Sequence, residues 1–161
     1  MICYRLSPTP TTDPSVPVWA LFVKKPDLRL GRIVYARVVD SDGQTREMKR
    51  RPLVVICAPQ AGSDTFVWLA CSTKAPPDAE LAYSIPLDYK ATPGGHRYTH
   101  FGEPTYLYCR WTGIMRLDEI SNPTQDVRGT LHSVQIELML EIIGKLKADL
   151  ASNAISMRCT P

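Results

Sequence analysis

At 161 residues the chain is about one ordinary domain long, and 44% apolar with 22% charged residues is too apolar a balance for an intrinsically disordered chain. No apolar run reaches the roughly 18 residues of a membrane span, and the early stretch SPTPTTDPSVPV lacks the basic-then-apolar order of a secretory leader. A cytoplasmic location without membrane attachment is therefore expected, and the net charge of +3 is too small by itself to announce a polyanion partner.

In chain order, residues 1–17 carry four prolines and little apolar bulk, which predicts an extended N-terminal arm over 1–28 ahead of a folded domain at 29–152. β-Branched residues crowd Ile33 to Val39, and Ser41-Asp42-Gly43 offers a turn. The continuous apolar run LVVICA (53–58) predicts a central strand. It is entered through the basic run Lys49-Arg50-Arg51 and Pro52; four of the six residues from 46 to 51 are basic. A gap with Gly62, Ser63 and Asp64 leads into TFVWLACST (65–73), read as an antiparallel neighbour. Tyr83–Leu87 is a weaker strand that Pro86 confines to an edge. After the loop 88–104, TYLYCRWTGIMRL (105–117) reads as a strand in which Gly113 marks a bend or bulge.

From Thr130 to Leu150 the pattern becomes helical. Val134, Leu138, Ile142, Leu146 and Leu150 recur every four residues, flanked by Leu131, Met139 and Ile143, with Glu137, Glu141, Lys145 and Lys147 outside the stripe. Thr130 is the expected N-cap, and 153–161 is expected to be a tail. Several short strands followed by one helix predict a mainly β (α+β) domain, a small barrel of short antiparallel strands plugged by its C-terminal helix.

The five cysteines (Cys3, Cys57, Cys71, Cys109, Cys159) are odd in number, scattered and without a CxxC pair, so no disulfide framework, zinc site or other metal or cofactor is expected. Cys57, Cys71 and Cys109 lie inside apolar runs, where a free thiol behaves as a small hydrophobe.

Two phrases stand out among the strands. One is Gly31 with Ile33-Val34-Tyr35, then Arg51-Pro52-Leu53-Val54-Val55-Ile56; the other is the strand ending Leu69-Ala70-Cys71-Ser72-Thr73. With a Gly129-Thr130-Leu131 lead-in to the helix, residues 30–150 resemble the MazF/PemK family of toxin endoribonucleases from bacterial toxin–antitoxin pairs. The resemblance implies an SH3-like barrel of the CcdB–PemK type, usually a homodimer, inhibited by a cognate antitoxin. It also implies metal-free cleavage of single-stranded RNA, in which the 2′-hydroxyl attacks the adjacent phosphate to leave 2′,3′-cyclic phosphate and 5′-hydroxyl ends. By position the family arginine is Arg51 and its hydroxyl is Ser72, a serine where relatives often have threonine. Arg32 after the first glycine, and Cys109-Arg110 where relatives often show an Asp-Gln-like pair, depart from the family pattern.

The chemistry agrees with that carry-over. Phosphoryl transfer builds negative charge, which an arginine fork on a rigid mount and a hydroxyl at a strand end can both stabilise. Glu47, in the loop before Arg51, and His100 are the candidate general bases. Lys49, Arg50, Thr73, Lys74 and Arg97 are the candidate RNA contacts, with Lys90 and Tyr98 beside Arg97 in the same loop. Each has a plainer reading: the basic run as a solvated turn, Ser72 and Thr73 as ordinary strand-end residues, His100 as a solvated loop histidine. Trp68, Trp111 and Tyr108 are read first as core and second as platforms for bases. Two other functions share the barrel: a non-catalytic module binding RNA or protein, and a CcdB-type gyrase poison, against which the ending SMRCTP argues.

Overall fold

The computed structural model describes residues 26–39, 47–94 and 96–158. Residues 1–25 of the expected arm, the Ser41-Asp42-Gly43 turn and the last three residues of the expected tail lie outside these. Six strands form one antiparallel sheet: β1 (Arg32–Val39), β2 (Met48–Cys57), β3 (Thr65–Ser72), β4 (Ser84–Leu87), β5 (Thr105–Arg116) and β6 (Val127–Thr130). Their spatial order is β4-β5-β3-β2-β1-β6. Two single-turn helices, α1 (His96–Thr99) and α2 (Pro123–Asp126), precede the long α3 (Ser133–Arg158), and a 3-10 helix spans Asp78–Tyr83. The mainly β sheet with a C-terminal helix is the fold class that the order of apolar runs predicts, and Pro86 does stand on an edge strand.

Alternation along the strands divides the core into two layers. Ile33, Val54, Leu69, Cys71 and Leu107 face α3 and pack with Met139 and Ile142. Val34, Ala36, Leu53, Val55, Phe66, Trp68 and Ala70 face the other way, together with Leu28, Met115 and Ile120. Trp68 is accordingly core, as its plainer reading had it.

Three expectations are corrected. First, β2 begins at Met48 rather than Leu53, so the basic run is part of the strand. Pairing with β1 from Val39↔Met48 to Ala36↔Arg51 supplies backbone partners that the side-chain composition could not reveal.

Second, Thr130 belongs to β6, paired with Arg32, and α3 starts at Ser133. His132 takes the capping role: its Nδ1 accepts from the Val134 N–H (3.3 Å), while the Gln135 Oε1 accepts from the His132 N–H (3.2 Å). This reciprocal pair satisfies two donors as a capping box does, and it accounts for the burial of Gln135. Strand β6 is only four residues long and carries no apolar pattern of its own. Gly129 lets it lie against α1, since a Cβ there would stand 2.5 Å from the Thr99 carbonyl oxygen.

Third, the buried line of α3 is Gln135, Met139 and Ile142, with Ile136, Ile143 and Leu146 partly covered. Val134 (62%), Leu138 (40%) and Leu150 (70%) are exposed. Four residues turn a helix through roughly 400°, so a strict four-residue series drifts by about 40° at each step. The predicted stripe therefore crosses the contact line near Ile142 and Leu146 and leaves it at both ends.

The core thiols carry a pH dependence. Burial pushes the Cys109 thiol up to about 12 from an ordinary 9.0. Cys71 is raised by burial first and by the neighbouring Cys109 second. Because the folded values are raised, the unfolded chain gives up these protons first. The associated stability is complete below about pH 9 and is lost as pH climbs towards about 12. Urea midpoints at about pH 8 and about pH 10.5 should show a loss in the native sequence that shrinks in C71A/C109A. An equal loss in both proteins would place the alkaline sensitivity elsewhere.

Candidate active site

The site begins with the register between β2 and β3. Leu53 pairs with Ala70 and Val54 with Leu69, so two residues outward from Leu53 the register brings Arg51 abreast of Ser72. Both side chains lie on the face away from α3, Arg51 in step with Leu53 and Val55, Ser72 in step with Trp68 and Ala70. The third strand completes the site through an irregularity. Leu69 pairs with Thr112 but Ala70 pairs with Tyr108, so residues 109–111 are extra on β5. This irregularity switches the faces of β5, turning Cys109 towards α3 and Trp111 towards the opposite layer. Gly113, expected to mark a bend, lies just beyond it and packs on the Trp68 ring, where a Cβ would come within 2.5 Å.

These elements form a cavity of about 580 Å³ lined by Arg51, Ser72, Thr73, Lys74, Tyr108 and Trp111, together with Ala75, Pro77, Glu80 and Arg110. The Arg51 guanidinium lies over the Trp111 ring, 5.2 Å from its centroid. The Ser72–Lys74 turn is held twice: the Ser72 Oγ accepts from the Lys74 N–H (3.2 Å), and the Tyr108 hydroxyl donates to the Lys74 carbonyl (2.8 Å). Burial, followed by the charge of Glu80, raises the Tyr108 phenol above its usual range and keeps it protonated. Three basic side chains, Arg51, Lys74 and Arg110, face one carboxylate, Glu80, so the cavity suits an anionic ligand.

Four of the sequence candidates, Arg51, Ser72, Thr73 and Lys74, thus share one cavity. The others lie elsewhere. Arg50 projects from the opposite face of β2, where it forms an ion pair with the buried Asp126 and its guanidinium lies 4.8 Å from the Tyr35 ring centroid. Lys49 shares a face with Arg51 by alternation but does not line the cavity. Glu47 and His100 are exposed and lie outside the lining. Arg97 lines a second cavity of about 230 Å³ with Asp88, Tyr98 and His132. Sequence reasoning missed Glu80 and the place of Arg110: nothing in PPDAEL marks a site, and alternation alone would send Trp111 to the face of Cys109. No group of three or more His, Cys, Asp or Glu placed to hold a metal ion occurs among the described residues.

The solved structure of the Mycobacterium tuberculosis toxin MazF-mt6 superposes with a TM-score of 0.50 at 17% identity, over 71% of this chain and 93% of that one. The chain has a MazF-type fold. The Deinococcus radiodurans protein solved as a MazE–MazF complex matches at a TM-score of 0.49 and 14% identity, over 80% of this chain and 97% of that one. No protein-family model matches the sequence, and no curated protein does. Within the MazF-type sheet, the cavity lies where β2, β3 and the irregular part of β5 meet, on the face that α3 leaves open. Among the described residues no helix is long and apolar enough to cross a membrane.

Proposed function

We propose that this protein is a toxin endoribonuclease that cuts single-stranded RNA without a metal and is inhibited by a cognate antitoxin. One observation carries the reading: Arg51 and Ser72, from neighbouring strands, stand abreast in one cavity whose basic side chains outnumber its acids. The MazF-type fold, shared with a toxin of Mycobacterium tuberculosis, supports it.

In this reading a phosphodiester sits over Arg51. Attack by the ribose 2′-oxygen on the adjacent phosphorus forms one P–O bond as the bond to the 5′-oxygen breaks, leaving a 2′,3′-cyclic phosphate and a 5′-hydroxyl. The guanidinium fork and the Ser72 hydroxyl donate hydrogen bonds to the phosphoryl oxygens as their charge grows. Lys74 attracts the backbone, and the half-buried Tyr108 and Trp111 offer flat faces against which bases can stack. The working form would be a cytoplasmic homodimer, as the sequence resemblance implies.

The test is incubation of the purified protein with a mixed-sequence RNA in EDTA. Cleavage leaving 5′-hydroxyl ends is the expected result. Intact RNA that is nonetheless bound would favour a non-catalytic RNA-binding module on the same fold.

A further inference from the structure

Among the described residues that line the cavity, one carboxylic acid is present, and neither proposed general base from the sequence reaches it. That acid is Glu80, in the 3-10 helix Asp78–Tyr83, and its side chain is 29% exposed, well short of a freely solvated surface glutamate. It is also held in place. Arg110 Nη1 donates to Glu80 Oε1 (3.2 Å), and the Arg110 guanidinium lies over Tyr83, 3.8 Å from the ring centroid. The Tyr83 hydroxyl donates in turn to Asp149 Oδ2 (3.0 Å) on α3. A continuous tether therefore runs from the long helix through Tyr83 and Arg110 to the carboxylate, and the β5 irregularity includes Arg110.

This arrangement suits proton transfer. A carboxylate offers about four lone-pair sites, so one bond to Arg110 leaves it able to accept another proton donor. Arg110 stays charged at any working pH and keeps the carboxylate oriented without competing for protons. The phenol of Tyr108 is raised by burial first and by the negative charge of Glu80 second, so the carboxylate stands near enough to act on a side chain that lines the cavity.

We propose that Glu80 is the general base of this site, taking the proton from the ribose 2′-hydroxyl, with Arg110 as its positioning residue. The inference deepens the ribonuclease reading and rests on it. As the O2′–P bond forms, the proton passes to the Glu80 carboxylate. As the P–O5′ bond breaks, the leaving oxygen takes a proton from water, and Glu80 returns its own to solvent, so the enzyme ends unchanged.

The plainer role for Glu80, fastening the 3-10 helix to β5, makes a different prediction. Glu80→Gln preserves a hydrogen bond to Arg110 but cannot act as a base at neutral pH. Single-turnover cleavage by E80Q should fall by about 10²–10⁴-fold while RNA affinity is kept, since general-base catalysis is worth about that much. The native rate should rise with pH through the acidic range; that rise should vanish in E80Q and persist in E80D. E80D also provides the comparison should E80Q fold poorly. Cleavage by folded E80Q within a few-fold of the native rate, or with the same acidic rise, overturns the assignment, as does an E80D profile without the rise. If the native protein cuts and E80Q cuts equally well, only the role of Glu80 falls. If the native protein cuts no RNA, the ribonuclease reading and this inference fall together.

Discussion

Replacing Arg51 with methionine is expected to slow RNA cleavage by about 10²–10³-fold, or about 2.7–4 kcal/mol of transition-state stabilisation, the cost of losing one fixed donor to a developing anion. The size of the effect follows from the mount. Arg51 is half-buried on β2, its backbone is paired opposite Ala36, Pro52 fixes the next φ, and its guanidinium rests over Trp111. A guanidinium so constrained has little left to lose in orientation when phosphate arrives, and methionine keeps the packing of its stem while removing the fork. Arg51→Lys should recover only part of the rate, since an ammonium keeps the charge but not the two-pronged geometry. Single-turnover rates with circular dichroism as a check on folding decide the matter. A folded R51M that cleaves at the native rate would move the chemistry out of this cavity.

The second large effect is on stability. Met139 is fully buried between α3 and the sheet, in the layer with Ile33, Val54, Leu69 and Leu107. Met139→Ala should cost about 2–5 kcal/mol, the transfer of the lost side chain plus the cavity left behind. Val134→Ala, at a site that the four-residue periodicity ranks as core, should change stability by no more than about 0.5 kcal/mol, because Val134 is 62% exposed. Urea denaturation of the two variants separates the structural line of the helix from the sequence stripe. Equal losses would mean that Val134 is covered by a partner in solution, as a helix face joining two copies would be.

Several features were legible without coordinates because they depend on near neighbours. Strand identity follows from local alternation and β-branching, which is why β1, β3, the edge strand β4 and most of β5 lie where the composition puts them. The fold class follows from the order of those runs. Helix α3 was readable as a helix, but its facing was not: Val134, Leu138 and Met139 are equally apolar, and which of them meets the sheet depends on how the helix is laid across it. Its start was misplaced for a similar reason. Thr130 is a good cap by type, yet β1 captures it as a strand partner, and His132 with Gln135 closes the helix instead.

By itself, then, the sequence determined five of the strands and the long helix, their order, and the two phrases that hold Arg51 and Ser72. Tertiary structure decided what those residues face. Strand alternation parts Arg50 from Arg51 although they are adjacent, sending one to Asp126 and the other to the cavity. The register across a hairpin loop brings Arg51 level with Ser72, 21 positions away, and the extra residues on β5 turn Trp111 towards them. Glu80 arrives through an ion pair with Arg110, 30 residues further along. Such meetings depend on loop lengths, register and a strand irregularity summed over the whole sheet, and no local pattern of residues encodes that sum.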